Sequence, residues 1–250
     1  MSKYLIAALW VFASLSAHSG ERLAGANVDV RTTLAFKASD LAIGKLVPPG
    51  WVSSPIAAGP NKGANVTVIL VDSQFASDAD GTPLPPFHGM VLAVPAKKAV
   101  TDLAGNLIVF GIVDEGQFPG PYGVYLGGKA SIERTATHST EAGTTIKENW
   151  SLSANDGNNL EVAIQFQRGL ATKVKSESRT YSGIHPEFYR IYQLDQTADV
   201  AKSSAAGVDR VRKFAFRASG PRLAQIFDGT EQLIGVTSIP AYSRMVLLPD

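Results

Sequence analysis

The chain has 250 residues and a formal net charge of +1 at pH 7, a balance that argues against a nucleic-acid-binding surface. It contains no cysteine, which excludes disulfides, thiolate nucleophiles and cysteine metal sites, so its stability must come from packing of the core. The length suits one large β domain or two small ones, and no convincing linker divides the sequence.

The first predicted element is a signal peptide over residues 1–19. A lysine precedes an apolar run over 4–13 that is too short to span a bilayer, and Ala17 and Ser19 suit a cleavage site. A buried N-terminal strand or helix is the alternative. The sequence therefore predicts a secreted or periplasmic protein, with one β-rich domain over 20–250 and no membrane contact after cleavage.

Short strands dominate the rest of the chain. One short helix is predicted from Ser39-Asp40-Leu41 to Val47, where the Pro48-Pro49-Gly50 turn ends it, and 200–208 forms a short turn or loop. More than ten strands with turn signals between them predict a mainly β fold, a single antiparallel β-barrel or cone-like domain with few short helices. The predicted strands are 66–71, 89–94, 107–113, 129–138, 144–153, 160–168, 170–178, 188–194, 210–219, 222–227 and 242–248.

Familiar catalytic and metal-binding motifs are missing from the sequence. His88, His138 and His185 are the histidines that remain after signal removal, and none pairs with another at metal-ligand spacing. No nucleophile elbow of a serine hydrolase is present either. The sequence therefore predicts neither a metal nor a cofactor.

The strongest functional signal is the glycine- and proline-rich segment 116–132. Its glycines allow close approach to a ligand, and its prolines hold aromatic side chains in place, so Phe118, Tyr122 and Tyr125 are candidate ligand-binding residues. Ordinary core packing is the alternative for these aromatic residues. The sequence thus predicts a pocket that is bordered by this segment.

A candidate amine nucleophile lies at the end of the same segment. Lys129 follows a glycine pair, and a desolvated lysine can attack a carbonyl group to form a Schiff base. Glu115, Glu133 and Arg134 are its candidate charge partners, and adjacent residues 133 and 134 point to opposite faces of a strand. The alternative is a solvated lysine at the start of a strand.

Four segments, in this order, carry a family resemblance: Leu46-Val-Pro-Pro-Gly50, 66–75, His88-Gly-Met-Val-Leu-Ala-Val-Pro95, and 109–115 followed by 123–132. The order is similar to that of the acetoacetate decarboxylase superfamily, which implies a barrel- or cone-like domain with an interior pocket. In that family a lysine pair supplies the Schiff-base nucleophile.

The chain departs from this family pattern at the reactive positions. When Ala130 and Ile132 are matched to the family signature, Gly127-Gly128 replaces the lysine pair and Lys129 falls one place later. Gly89-Met90 stands where the resemblance implies an acidic strand residue. A one-residue shift turns a strand side chain to the other face, although a local bulge could restore it.

Three functions follow as hypotheses. The first is a binding protein for a small-molecule ligand that keeps the pocket without the decarboxylase chemistry. The second is a Schiff-base lyase or decarboxylase that acts on a small β-keto acid or carbonyl compound through Lys129. The third is a lipocalin-like carrier that shares only the barrel. The sequence predicts no nucleic-acid partner and leaves a homo-oligomer open.

Overall fold

A computed structural model describes residues 21–101, 103–114 and 122–249. The signal peptide predicted over 1–19 and the predicted site residues Glu115 and Phe118 lie outside the described residues. Within the described ranges, no helix is both long and apolar enough to cross a membrane.

Strands account for nearly all of the regular structure, which confirms the predicted mainly β class. The two helices of the described residues are α1 (Asp40–Gly44), inside the predicted helix, and α2 (Leu223–Ile226). The strands are β1 (Arg22–Lys37), β2 (Trp51–Ser53), β3 (Val66–Asp78), β4 (Pro83–Leu84), β5 (His88–Lys98), β6 (Ala104–Asp114), β7 (Tyr125–Ser139), β8 (Gly143–Ala154), β9 (Asn159–Gln167), β10 (Thr172–Ser182), β11 (Tyr189–Ser203), β12 (Val208–Asp209), β13 (Val211–Ser219) and β14 (Gln232–Leu248).

Seven of the described strands close a barrel, as the sequence predicts. The hydrogen-bonded ring runs β1, β3, β5, β6, β10, β11 and β14, and β14 pairs with β1 again. The pairings of β6 with β10 and with β7 are parallel, whereas the other pairings are antiparallel. The sheet is therefore mixed, which the sequence pattern alone did not predict.

The sheet branches at β7. This strand pairs with β6 only from Tyr125 to Gly128, and from Gly128 onward it pairs with β8. The rest of β7, together with β8, β9 and β13, forms an extension that we call the arm sheet. One face of the arm sheet packs on the outside of the barrel, where Trp150 and Phe166 share a hydrophobic core with Leu34 and Leu70.

Because successive side chains of a barrel strand point to opposite faces, the barrel strands contribute to two separate hydrophobic cores. On β3, Val68 and Leu70 face the arm sheet, while Ile69 and Val71 face the barrel interior. Because both faces are covered, these strands read as nearly continuous apolar runs. The second core therefore lies inside the barrel and surrounds a cavity.

The strand predicted over 222–227 is wrong. This segment forms the short helix α2. The backbone turns after Gly220-Pro221, and a side-chain oxygen accepts hydrogen bonds from the first backbone N–H groups of the helix. The Asn158 side-chain oxygen accepts the backbone N–H groups of Arg222 and Leu223, both at 2.9 Å. A side-chain acceptor of this kind satisfies the free donors at a helix start.

A candidate ligand cavity inside the barrel

The barrel interior contains a cavity of about 270 Å³ that is partly open to solvent. Its wall is built from inward-facing residues of the seven ring strands, with four further residues from outside the ring: Ile56, Phe87, Tyr122 and Tyr125. The charged and phenolic lining residues are Arg31, Arg244, Tyr122, Tyr125, Tyr192 and Tyr242. The apolar ones are Ile56, Ile69, Val71, Phe87, Val91, Ala93, Ile108, Leu194 and Ile239, and the neutral polar ones are Thr33, Thr67, Asn106, Ser178, Thr180 and Gln196.

Two arginines enter the cavity from the paired strands β1 and β14. The Arg31 guanidinium lies 3.8 Å from the centre of the Tyr242 ring and donates from Nε to Asp29 Oδ2 at 2.9 Å. The Arg244 guanidinium lies 4.2 Å from the centre of the Tyr192 ring. Stacking on a ring fixes the guanidinium plane, so the donors that remain are held in defined directions.

A short polar ladder on β1 supports both arginines. Asn27, Asp29 and Arg31 alternate along the strand and share one face. Asn27 accepts from Arg244 Nε at 2.6 Å and donates to Asp29 Oδ2, also at 2.6 Å. Asp29 is the single acidic group in this ladder, and its side chain is fully buried. The two guanidiniums and this carboxylate leave one net positive charge beside the cavity.

The groups around Arg244 keep its guanidinium positively charged. Burial alone lowers the pKa of Arg244, but the nearby oxygens of Tyr242, Tyr192 and Asp29 outweigh burial and raise the pKa above its usual value. The guanidinium is therefore positive at every pH at which the protein is folded. A permanent cation in a cavity wall favours an anionic ligand.

The phenols of the cavity are neutral donors. Burial raises the pKa of Tyr122, Tyr125 and Tyr192, and the neighbouring Tyr192 raises that of Tyr122 further. The Tyr122 and Tyr192 hydroxyls are hydrogen-bonded to each other. Because one O–H group bridges the two oxygens, the other O–H group can donate to a ligand oxygen.

These raised pKa values predict alkaline unfolding. The neutral phenols stabilise the fold fully below the unfolded-state pKa of about 10, and this contribution is lost as the pH rises through the higher folded-state values. In an alkaline titration, ionisation of Tyr122, Tyr125, Tyr181 and Tyr192 is expected to coincide with loss of the near-ultraviolet circular dichroism signal. Ionisation of all tyrosines near pH 10 with an unchanged signal would contradict this expectation.

The predicted ligand-binding tyrosines have well-defined positions. Tyr122 and Tyr125 line the cavity, and their rings meet edge to face at a centroid distance of 6.3 Å. The Tyr125 ring lies over Gly111, the residue directly opposite on β6, where a Cβ atom would lie 2.4 Å from the ring. Whether the two tyrosines bind a ligand stays a prediction.

Lys129 lies elsewhere. Its side chain is exposed, and it is not part of the cavity lining. Lys129 follows Tyr125 by four residues, so strand alternation places both side chains on the same face of β7. Four residues along a strand, however, span about 13 Å. Over that distance β7 has left β6, so the face that lines the barrel at Tyr125 has become the solvent face of the arm sheet.

Glu133 and Arg134 lie on opposite faces of β7, as adjacent strand residues must. Glu133 is exposed and accepts from Asn149 at 2.6 Å. Arg134 turns toward the barrel, where it donates to Glu148 at 3.0 Å and to Asp72 at 2.6 Å. The structure thus brings neither residue to the cavity wall.

Close backbone contacts occupy one glycine in each of the two pairs, Gly127-Gly128 and Gly89-Met90, at which the family resemblance implies reactive side chains. A Cβ atom on Gly128 would lie 2.1 Å from the Ser153 carbonyl oxygen, and one on Gly89 would lie 2.2 Å from the Ile112 carbonyl oxygen. Neither of these two glycines can carry a side chain in this fold without a backbone shift. Gly127 has room for one, since a Cβ atom there would meet only Asn155 Nδ2, at 3.9 Å.

The described residues contain no group of three or more His, Cys, Asp and Glu side chains that could hold a metal ion. No lysine lines the described cavity, and the segment 115–121 contains none in its sequence. The chemical groups that face the cavity are therefore guanidiniums, phenols, hydroxyls, amides and aliphatic side chains.

The fold and its site define a mainly β barrel protein with an interior cavity. No protein-family model matches the chain, and no curated protein sequence matches it. Solved structures do match over nearly the whole length, at low identity.

Three of these structures show the class of fold. The biosynthetic enzyme MppR, in complex with pyruvate, matches with a TM-score of 0.55 and 12% identity over 94% of each chain. An acetoacetate decarboxylase-like enzyme from Sphingomonas wittichii RW1 matches with a TM-score of 0.55 and 12% identity, over 97% of this chain and 100% of the other. Acetoacetate decarboxylase from Legionella pneumophila matches with a TM-score of 0.52 and 8% identity, over 92% and 88%. The chain therefore has the acetoacetate decarboxylase-like fold, which confirms the resemblance in fold.

Proposed function

We propose that this protein binds a small organic carboxylate inside its barrel without forming a covalent bond to it. The observation that carries the proposal is the pair of guanidiniums, Arg31 and Arg244, in the wall of the cavity with one neighbouring carboxylate. A single bound carboxylate would neutralise the remaining positive charge. Arginine suits this task because its planar donors match the two oxygens of a carboxylate.

The phenols complete the proposed anion site. Neutral Tyr122 and Tyr192 can donate to the same carboxylate or to an adjacent oxygen. The bound pyruvate of the structurally similar MppR is itself a small carboxylate, which is consistent with an anionic ligand here. The nine apolar residues of the wall lower the local polarity, which strengthens each charge-assisted hydrogen bond.

The alternative function is a Schiff-base lyase that acts through Lys129. This lysine is exposed, and its strand has left the barrel before reaching it. A lysine is activated as a nucleophile by desolvation or by a neighbouring base, and an exposed amine lacks the desolvation. The cavity wall therefore favours binding over covalent chemistry.

Arg244→Met is the variant that tests the proposal. Loss of one partner of a buried charge pair typically costs about 2 kcal/mol or more, so the affinity for pyruvate and acetoacetate is expected to fall by about 30-fold or more. Isothermal titration calorimetry measures this change. Arg217→Met, on the solvent face of the arm sheet, is the matched control and should bind as the natural protein does.

Borohydride trapping separates binding from covalent chemistry. The natural protein is expected to bind the carboxylates and to show no mass increase after reduction in their presence. A reduced adduct that forms on the natural protein but not on Lys129→Gln would overturn the binding proposal and support the lyase function. Equal affinities of Arg244→Met and the natural protein, with both folded, would overturn the proposed anion site.

We also propose that the protein acts outside the cytoplasm. The basis is the signal peptide predicted over residues 1–19. N-terminal sequencing of exported protein is expected to begin near Gly20. Exported protein that retains Met1 would contradict this proposal.

A further inference from the structure

We propose that the ligand is a carboxylic acid with an apolar body, about twice the size of pyruvate. This inference rests on the proposed function, since it specifies which carboxylates the barrel accepts. Three features of the described cavity lead to it: its volume, the position of its two arginines on one side, and the apolar side-chain pairs on the other side.

The volume sets the size of the ligand. A cavity of about 150 Å³ holds one benzene molecule, so a cavity of 270 Å³ holds a ligand nearly twice as large. Pyruvate has about as many non-hydrogen atoms as benzene and would fill little more than half of this space. A carboxylate joined to a ring or to a short alkyl chain fills it.

The charged and apolar walls face each other across the barrel. Arg31 and Arg244 lie on the neighbouring strands β1 and β14. In the seven-strand ring, β6 is the strand farthest from this pair, three steps from each, and β5 and β10 on either side of it are the next farthest. A ligand whose carboxylate meets the arginines therefore extends its other end toward β6 and the strands beside it, of which β5 carries the apolar lining.

Apolar pairs line the side of the cavity around β5, beside one amide, that of Asn106 on β6. Ile69 lies directly opposite Val91 in the β3–β5 pairing, and Ala93 lies directly opposite Ile108 in the β5–β6 pairing. All four side chains face the cavity. An apolar ligand body gains by leaving water for these side chains, whereas a second charged group there would lose its hydration without a charged partner.

Calorimetry with three probes tests this inference on the natural protein. The probes are 3-phenylpropanoate, pyruvate and the neutral alcohol 3-phenylpropan-1-ol. The aromatic acid is expected to bind at least about tenfold more tightly than pyruvate, because burial of the ring adds apolar contact. It is also expected to bind at least about tenfold more tightly than the alcohol, which lacks the charge that the arginines bind.

Ala93→Phe tests the position of the apolar body. The added ring occupies the far wall, so the variant is expected to lose about tenfold or more in affinity for 3-phenylpropanoate and to keep its affinity for pyruvate. Ala163→Phe places the same ring on the solvent face of β9 and serves as the matched control. The thermal midpoint of each variant shows whether it folds, and the ranking of the three probes decides the question if Ala93→Phe does not.

The outcomes separate the two proposals. If both acids need Arg244 to bind and pyruvate binds as tightly as 3-phenylpropanoate, the apolar-body inference is overturned and the proposed carboxylate-binding function is kept. Failure of every carboxylate to bind in an Arg244-dependent way overturns both. Equal affinity for the aromatic acid and its alcohol also overturns the proposed anion site.

Discussion

Replacing Arg134 with methionine is expected to lower the free energy of unfolding by about 3 kcal/mol, the lower end of the usual cost of breaking a buried ion pair. The partner carboxylate of Glu148 is 2% exposed, and Arg134 Nε donates to it at 3.0 Å. Thr32 and Trp150 donate to its other oxygen at 2.8 and 3.0 Å. Without Arg134, a buried negative charge would keep only two neutral donors.

This network joins the arm sheet to the barrel. Arg134 and Glu148 lie on β7 and β8 of the arm sheet, whereas Thr32 and Asp72 lie on β1 and β3 of the barrel. The Arg134 variant is therefore expected to loosen the contact between the two layers as well as to destabilise the whole chain. Equilibrium unfolding in urea measures the free energy, and amide hydrogen exchange on β8 reports the local contact.

A second arginine on the same sheet provides the control. Arg217 and Glu161 form an exposed pair at 3.6 Å on the solvent face, so Arg217→Met is expected to cost less than about 1 kcal/mol. The double variant Arg134→Met with Glu148→Leu should recover part of the loss, because the Glu148 carboxylate is removed with its partner, while the Asp72 carboxylate, 16% exposed, still lacks Arg134. A single Arg134 variant as stable as the natural protein would contradict the role of this network.

The class of fold follows from local patterns, and the missed elements show where such patterns stop. The turn around Gly157 and the strands on either side of it are where the sequence predicts them. Strand β1 was missed, although residues 28–36 alternate in the manner of a strand. Strand β14, of 17 residues, was predicted only from residue 242 onward, since Gly235 and Pro240 interrupt its pattern.

The arginine site could not be predicted from local sequence. Asn27 and Arg244 are 217 positions apart, and only the β1–β14 pairing brings them together. On each strand alone, a cation that alternates with apolar residues indicates a solvent face, whereas in a closed barrel that face lines the cavity. Tyr122 and Tyr125 could be singled out because glycine and proline surround them in the sequence.

The position of Lys129 depends on a similar tertiary feature. Lys129 and Tyr125 are four residues apart and share one face of the strand. Nothing in the sequence of the segment indicates that β7 stops pairing with β6 and begins to pair with β8 at Gly128. Pairing partners are set by the whole sheet rather than by the strand. Two residues on the same face of one strand can therefore have different surroundings, one in the barrel interior and the other in solvent.

Replacing Tyr125 with lysine is expected to introduce imine chemistry at a cavity wall whose described residues include no lysine. The new amine would enter the wall opposite Gly111, in a site that already contains the guanidiniums of Arg31 and Arg244. Burial and the nearby positive charges both lower the pKa of an amine, and a neutral amine attacks a ketone. With pyruvate as the probe, loss of water from the first adduct gives an imine that borohydride reduces.

Mass spectrometry after reduction gives the result. Tyr125→Lys is expected to carry one reduced pyruvate on most of its molecules, with the label on residue 125, while Tyr125→Met, of similar length but without an amine, carries none. The further variant Tyr125→Lys with Arg244→Met should label far more slowly, because it lacks a cation that holds the carboxylate and lowers the pKa of the amine. A folded Tyr125→Lys variant that forms no adduct would show that position 125 does not meet the bound carboxylate. The arginines would then hold their ligand on the far side of the phenols, away from β7.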